Sequence, residues 1–326
     1  MNFIDSIRAR AREKKRRIVL PEGEEERTLQ AVKIILEEEI AKPVLLGDAE
    51  KIRSKAVQLN INIPSSVPII DPRKSEKTTD FASELFTQRK NKGMTYEQAK
   101  SLMTDMTLYF GAMMVRRSEC DGMVAGAVNT TADVMRSAIF SVGTAPGIKT
   151  VSSVFMMVLP DGRVITYGDC AVLPYPDENQ LADIAIASAE THRQLTGEEP
   201  MVAMLSFSTK GSAKHEAVDK VLNALKIVKE KKPDLKIDGE LQFDAAFVES
   251  VGQRKAPGSP VAGKANVFIF PNLDAGNICY KVTERIGKAQ AIGPVIQGLA
   301  KPINDLSRGC NADDIANVTA ICCLKA

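Results

Sequence analysis

Arg17-Ile18-Val19-Leu20-Pro21-Glu22-Gly23, followed at once by the charged stretch 24–39, decides how this chain is built. Two β-branched residues and a leucine make a short strand, Pro and Gly close it, and the charged stretch that follows has the pattern of a helix. The same unit recurs downstream. Residues 43–46 close on Gly47-Asp48, residues 67–70 on Asp71-Pro72 and residues 122–125 on Gly126, each strand handing over to a helix. Two long helical stretches, 77–92 and 95–119, precede the fourth strand. Alternation of this kind predicts an α/β fold with a parallel sheet covered by helices on both faces.

The pattern changes near residue 146. An apolar run over 151–159 ends at Pro160-Asp161-Gly162-Arg163, and 164–167 follows directly, which reads as a β-hairpin where a parallel sheet would have inserted a helix. Alternation then resumes with a helix over 180–195, a strand over 201–205, a helix over 214–229 and a strand over 267–270. A boundary at Ala145-Pro146-Gly147 gives a first α/β domain of residues 1–146 plus 295–326 and a second of residues 147–294.

With 326 residues, the chain exceeds the usual size of one hydrophobic core. It is 44% apolar and 26% charged with a formal charge of +2, the profile of an ordinary soluble globular protein. That balance, with 5% aromatics and no Trp, excludes a general nucleic-acid binder. Six cysteines with no C-x-x-C pairing and only two histidines, His192 and His215, predict no metal site. Reduced, buried thiols in a cytoplasmic protein are the expectation, and Cys170 is read as a packed thiol. Both histidines fall among charged residues on expected helices and are expected at the surface. No apolar run approaches a bilayer span, and the amino terminus lacks the apolar core of a secretory signal. Its seven Arg/Lys within the first 17 residues are read as the solvated face of a helix whose apolar stripe is Phe3, Ile4 and Ile7.

Gly258-Ser-Pro-Val-Ala-Gly263-Lys264 matches most of a Walker A loop, but Ala265 stands where a magnesium-holding hydroxyl belongs. Pro260 removes an amide, and a strand follows where a helix should, so nucleotide binding is dismissed. No G-x-G-x-x-G follows the first strand either. Three strand-to-helix junctions do carry groups fitted to oxyanions. Gly126-Ala-Val-Asn129-Thr130-Thr131-Ala-Asp133 offers amides and hydroxyls with Arg136 one turn further in, and helix capping by Asn129 or Thr130 is the alternative reading. Ser206-Phe-Ser-Thr-Lys-Gly-Ser212 and Phe270-Pro-Asn-Leu-Asp-Ala-Gly-Asn277 repeat the design.

The richest constellation is Asn304-Asp-Leu-Ser307-Arg308-Gly-Cys310 before Asn311-Ala-Asp-Asp314, which sets a hydroxyl, a guanidinium and a carboxylate within eight positions. Arg308 can grip a phosphate bidentately, Ser307 can donate to a carbonyl oxygen that becomes negative, and Asp314 can accept a proton. Asp314 supports two roles, because Asn311-x-x-Asp314 is also a capping box.

This segment resembles the carboxyl-terminal motif of phosphate acetyltransferases, of the phosphate acetyl/butyryltransferase family. The resemblance extends to Pro-Glu-Gly…Arg27-Thr, Arg89-Lys-x-Lys-Gly-Met, Asn129-Thr-Thr-Ala-Asp-Val-x-Arg136, Ser-Thr-Lys-Gly-Ser-Ala and Phe-Pro-Asn-Leu-Asp-Ala-Gly-Asn, and so covers nearly the whole chain. It implies two α/β domains with an interdomain cleft, an isopropylmalate-dehydrogenase-like architecture. It implies acetyl-CoA + phosphate ⇌ acetyl phosphate + CoA through a ternary complex, with no metal or cofactor, in a cytoplasmic homodimer. Asp314 matches the position of the base, with Ser307 as oxyanion donor and Arg308 as phosphate partner. Arg89 and Arg136, and with them Arg27, Asn129, Thr130 and Thr131, are expected to bind substrate. A coenzyme A thiol has a pKa near the free-thiol value of about 8.5, so cationic neighbours are needed to stabilise its thiolate. A phosphate butyryltransferase, a non-catalytic acetyl-CoA-sensing domain and a hydroxyacid dehydrogenase with acidic metal ligands are the rival readings; the intact Ser307, Arg308 and Asp314 argue against the sensor.

Overall fold

The computed structural model describes residues 2–326; Met1, at the head of the basic amino-terminal segment, lies outside them. In chain order the elements begin α1 (Phe3–Lys14), β1 (Arg17–Leu20), α2 (Glu26–Glu37), β2 (Lys42–Leu46), α3 (Ala49–Gln58), β3 (Ile69–Ile70) and α4 (Lys77–Arg89). After a 3-10 turn at Lys90–Lys92 come α5 (Tyr96–Asp105), α6 (Thr107–Arg116), β4 (Gly122–Ala125) and α7 (Thr131–Ser141). Next are β5 (Ser152–Val158), β6 (Val164–Gly168), α8 (Glu178–Thr196), β7 (Val202–Leu205), α9 (Glu216–Lys231) and β8 (Ile237–Leu241). The chain continues through α10 (Phe243–Phe247), α11 (Glu249–Lys255), β9 (Val267–Ile269), α12 (Leu273–Arg285), β10 (Gln290–Gln297), β11 (Ile303–Asp305) and α13 (Ala312–Lys325). These elements form two compact units, Met1–Ala145 with Leu299–Ala326, and Pro146–Gly298.

The first unit holds a five-stranded sheet in the order β11-β4-β1-β2-β3, parallel throughout. Val19, Val44, Leu46, Met123 and Ala125 pack with Phe81, Phe110, Met113 and Val134 from the α4 to α7 layer. A second layer is made by α1, α2 and α13, with α13 lying on β1, β4 and β11. Every residue of α13 from 315 to 324 is buried, as in a helix enclosed on all sides. Arg12, Lys14, Lys15 and Arg17 are exposed, as expected of a solvated charged face, and Arg8 departs from it. Its guanidinium turns inward to Glu38 at 2.7 Å, Asp313 at 2.9 Å and Asn317 at 2.9 Å, so it ties α1 to the end of α2 and the start of α13.

The second unit holds a six-stranded sheet in the order β10-β5-β6-β9-β7-β8. Strands β6, β9, β7 and β8 run parallel, whereas β5 is antiparallel to both β6 and β10, so the expected hairpin forms one side of a mixed sheet. Period-two alternation sends Val202, Met204, Val267 and Ile269 to α8 and α9, and Ala203, Leu205 and Phe268 to the opposite face with Ala246, Ala256 and Tyr280.

His192 was expected at the surface and is instead completely buried on α8. Its Nδ1 lies 2.9 Å from Thr166 Oγ1, and Thr166 also reaches Met156 Sδ. A proton on Nδ1 donated to Thr166 leaves Nε2 as a bare acceptor, which is less costly to bury than an unpaired N–H. Burial pushes the imidazole pKa down to about 4, so the ring is neutral and Glu198, 3.8 Å from Nε2, makes no ion pair with it. His215 is exposed and caps α9. Cys170 is fully buried, with its pKa raised by burial and by Asp169, as suits a packed thiol.

Candidate active site

In an open parallel sheet, ligands bind beyond the carboxyl ends of the strands, at the point where strand order reverses. In the first unit that point lies between β1, which leads on to β2 and β3, and β4, which starts the other side. Three loops meet there: 21–25 after β1, 126–130 after β4 and 306–311 after β11.

The 126–130 loop corrects the expectation of free amides. Its four consecutive N–H groups, from Gly126, Ala127, Val128 and Asn129, donate to the Glu22 carboxylate at 2.8–3.0 Å, and Asn129 Nδ2 adds a fifth bond at 2.8 Å. The anion held by this nest is the protein's own. Thr130 caps α7 through the Asp133 amide, the capping alternative, and Thr131 donates to Asp305 Oδ2 at 2.6 Å.

Arg27 is committed in the same way. Its guanidinium donates to Glu25 Oε1 (2.7 Å), to the carbonyls of Arg308 (2.7 Å) and Cys310 (3.0 Å), and to the carbonyl of Ala127 (2.8 Å). With four of its five N–H donors engaged, Arg27 laces the three loops together and has little left for a phosphate. The other two junctions are also occupied from within. Glu240 accepts from Ser208 Oγ and the Gly211 amide, Lys210 pairs with Asp238 at 2.6 Å, Asn272 caps α12, and Asn277 donates to the carbonyl of Cys170.

What remains open is the segment after β11. Ser307 to Cys310 forms a β-turn closed by the Cys310 amide on the Ser307 carbonyl at 2.9 Å, with Arg308 and Gly309 at its tip. Ser307 and Arg308 are exposed, and among the described residues no group partners the Arg308 guanidinium. The helix that follows opens with the full capping box: Asn311 Oδ1 accepts from the Asp314 amide and Asp314 Oδ2 from the Asn311 amide, each at 2.9 Å. Asp314 therefore does cap α13, and does so through one carboxylate oxygen, which leaves Oδ1 for a second partner. Cys310 sits between Arg27 and Asp314, its thiol pushed up to about 11 by burial against the pull of Arg27.

Arg89 and Arg136 form a separate group. With Lys92, Tyr109 and Phe140 they line an open cavity of about 690 Å³ between the 3-10 turn, α5 and α7. Arg89 lies over the Phe140 ring at 3.8 Å and Arg136 keeps a loose pair with Asp133 at 3.5 Å, so both cations face a concave surface whose only acidic lining residue is Glu97. Ser307, Arg308 and Asp314 do not line this cavity.

Two residues with no role in the sequence reading stand out. Glu22 carries the nest described above. Asp305 is 1% exposed, with Oδ2 on Thr131 and Oδ1 without a partner. Burial raises its pKa from 3.8 to about 7, the Thr131 hydroxyl and the Leu306 amide lower it, and Glu22 raises it. The sequence marks Glu22 only as an acid in the Pro-Glu-Gly corner that ends β1, which does not set it apart from the acids that follow. Among the described residues no group of three or more His, Cys, Asp or Glu is placed to hold a metal ion, and no helix is long and apolar enough to cross a membrane.

The first unit is thus an open parallel sheet whose switch-point loops are tied together around a turn that presents a serine and an arginine. The chain belongs to the phosphate acetyl/butaryl transferase family, whose model matches residues 2–323. It is 53% identical to the phosphate acetyltransferase of Thermoanaerobacterium thermosaccharolyticum and 51% identical to that of Clostridium acetobutylicum, over the whole of this chain and 99–100% of theirs. It superposes on a phosphotransacetylase from Streptococcus pyogenes with a TM-score of 0.93 and 42% identity, covering 98% of each chain.

Proposed function

We propose that this enzyme interconverts acetyl-CoA and phosphate with acetyl phosphate and coenzyme A, in a ternary complex that needs no metal or redox cofactor. The observation that carries the reading is the turn at Ser307 and Arg308. It presents a hydroxyl and an unpartnered guanidinium at the carboxyl edge of the sheet, where the loop amides are already taken by Glu22 and Arg27 is taken by Glu25 and loop carbonyls. In the direction of acetyl-CoA synthesis Asp314 takes the thiol proton through Oδ1, and the thiolate attacks the acetyl carbonyl. Ser307 donates to the oxyanion, and Arg308 neutralises phosphate as it leaves. Arg89 and Arg136 hold phosphate groups of coenzyme A in the basic cavity, while Arg27, Asn129, Thr130 and Thr131 serve the site by fixing its loops.

The enzyme acts as a cytoplasmic homodimer. An exposed apolar row on α12, formed by Ile278, Val282 and Ile286, supports association with a second copy, and six free cysteines support a reducing compartment. Thioester formation from acetyl phosphate and coenzyme A tests the assignment. Asp314→Asn, which keeps the cap's acceptor, should lower kcat about a hundredfold or more while the fold survives. Unchanged turnover would reduce Asp314 to a helix cap.

A further inference from the structure

Among the described residues five carboxyl groups are buried in or just after strands; Asp238 pairs with Lys210 at 2.6 Å, and of the other four one is unlike the rest. Glu22 accepts five hydrogen bonds. Asp169 accepts from the amides of Ser153, Ala171, Val172 and Leu173 and from the Ser153 hydroxyl, and Glu240 accepts from Ser208 and Gly211. Asp305 has the Thr131 hydroxyl on Oδ2, help from the Leu306 amide, and a buried Oδ1 with no hydrogen-bond partner. It is also the one located two residues before Ser307, on the strand that delivers the open turn.

We propose that Asp305 is a positioning residue that takes up a proton from solvent when a phosphate group settles against Ser307 and Arg308. Affinity for the acyl phosphate is thereby linked to the protonation of this buried carboxyl; the inference rests on the acyl-phosphate reading of that turn. Two residues of extended chain span about 7 Å, so a bound dianion lies close enough to disfavour a second negative charge in a medium that screens it poorly. The proton adds to Oδ1, the oxygen without a partner, and Thr131 continues to donate to Oδ2. Burial already holds the group near half-protonation at neutral pH, at about 7, so a modest push shifts its balance.

No other ionisable neighbour competes for this role. Glu22, from the loop after β1, acts on Asp305 with a like charge and is itself held by amides. Arg27 is turned to loop carbonyls, Asp133 and Arg136 on α7 pair with each other, and Cys322 on α13 faces the carbonyls of Met123 and Pro302.

The test measures KM for acetyl phosphate across pH 6 to 8.5, at about half-unit steps, in the wild type and in Asp305→Asn, a neutral isostere. Ionisation of the substrates is common to both enzymes and cancels in the ratio. Because the carboxyl must be protonated for tight binding, the wild-type KM should climb about five- to tenfold relative to the variant as pH rises through 7. Calorimetry of acetyl phosphate binding in two buffers of different ionisation enthalpy should give about half a proton more taken up by the wild type at pH 7. Should Asp305→Asn not fold, Thr131→Ala carries the test: loss of the hydroxyl that favours the anion should move the rise in KM to higher pH. A flat KM ratio with equal proton uptake overturns the inference while leaving the turnover reading intact. Absence of turnover in the wild type overturns the reading itself.

Discussion

Glu22 shows how much a single side chain can organise. Four backbone amides point at one carboxylate, which is only 8% exposed, so their donors have no water to fall back on. In Glu22→Gln an NH2 group would face N–H donors on one side of that fork. We expect a loss of about 3 kcal/mol in stability, from charge-assisted bonds removed and amides left unpaired. Urea unfolding should report it as a lower midpoint with an unchanged slope. Nothing in the sequence distinguishes Glu22 from the acids that follow it, Glu24, Glu25 and Glu26, which read as the acidic first turn of a helix. Only the register of the loop after β4 separates them. The hydroxyl and guanidinium at Ser307 and Arg308, by contrast, needed only local spacing to be noticed, and the structure leaves both side chains exposed.

At the scale of elements, the joint between β4 and its loop tolerates no side chain. Gly126 has a φ of +116°, and a Cβ there would lie 2.5 Å from Asp305 Oδ1 and 2.6 Å from the Leu306 amide. Gly126→Ala should cost about 3 kcal/mol or more. It should also displace the Ser307 turn, so that kcat/KM falls further than thermal stability would explain; an alanine variant with wild-type kinetics would refute the close approach. The strands bounded by Gly and Pro were readable, as was the hairpin at Asp161-Gly162. The stretch 95–119 was expected as one helix and is two, α5 and α6, because the chain extends at Met106 (φ −121°, ψ 98°) with no Gly, Pro or side-chain cap to announce it. Strand β8, Ile237-Asp-Gly-Glu-Leu241, escaped notice because two acids interrupt its apolar pattern. Both are buried, and their charges are met by Lys210 and by the loop containing Ser208 and Gly211. Strand β10 contains Gly293-Pro294, which reads as a turn, and a register shift between Ile292 and Val295 absorbs it.

At the scale of the whole molecule, the two units differ in how the chain supplies them. The unit Pro146–Gly298 is one continuous stretch, whereas the other needs Leu299–Ala326 to add β11 and α13. Residues 146–298 expressed alone should unfold cooperatively, with near-native helix content by circular dichroism. Residues 1–145 alone should fail to do so, because a helix with ten successive buried residues and one sheet edge would be missing. Restoring 299–326 as a separate peptide should recover order in that fragment.

The enclosure of α13 also sets an order of events in the cell. Its codons are translated only after those for all of 146–298, so on the ribosome β1 and β4 wait with one apolar side uncovered while another 153 residues emerge. The interval in which the nascent chain is most in need of a chaperone therefore falls late in synthesis, and it closes with the arrival of the same segment that brings Ser307 and Arg308 into place.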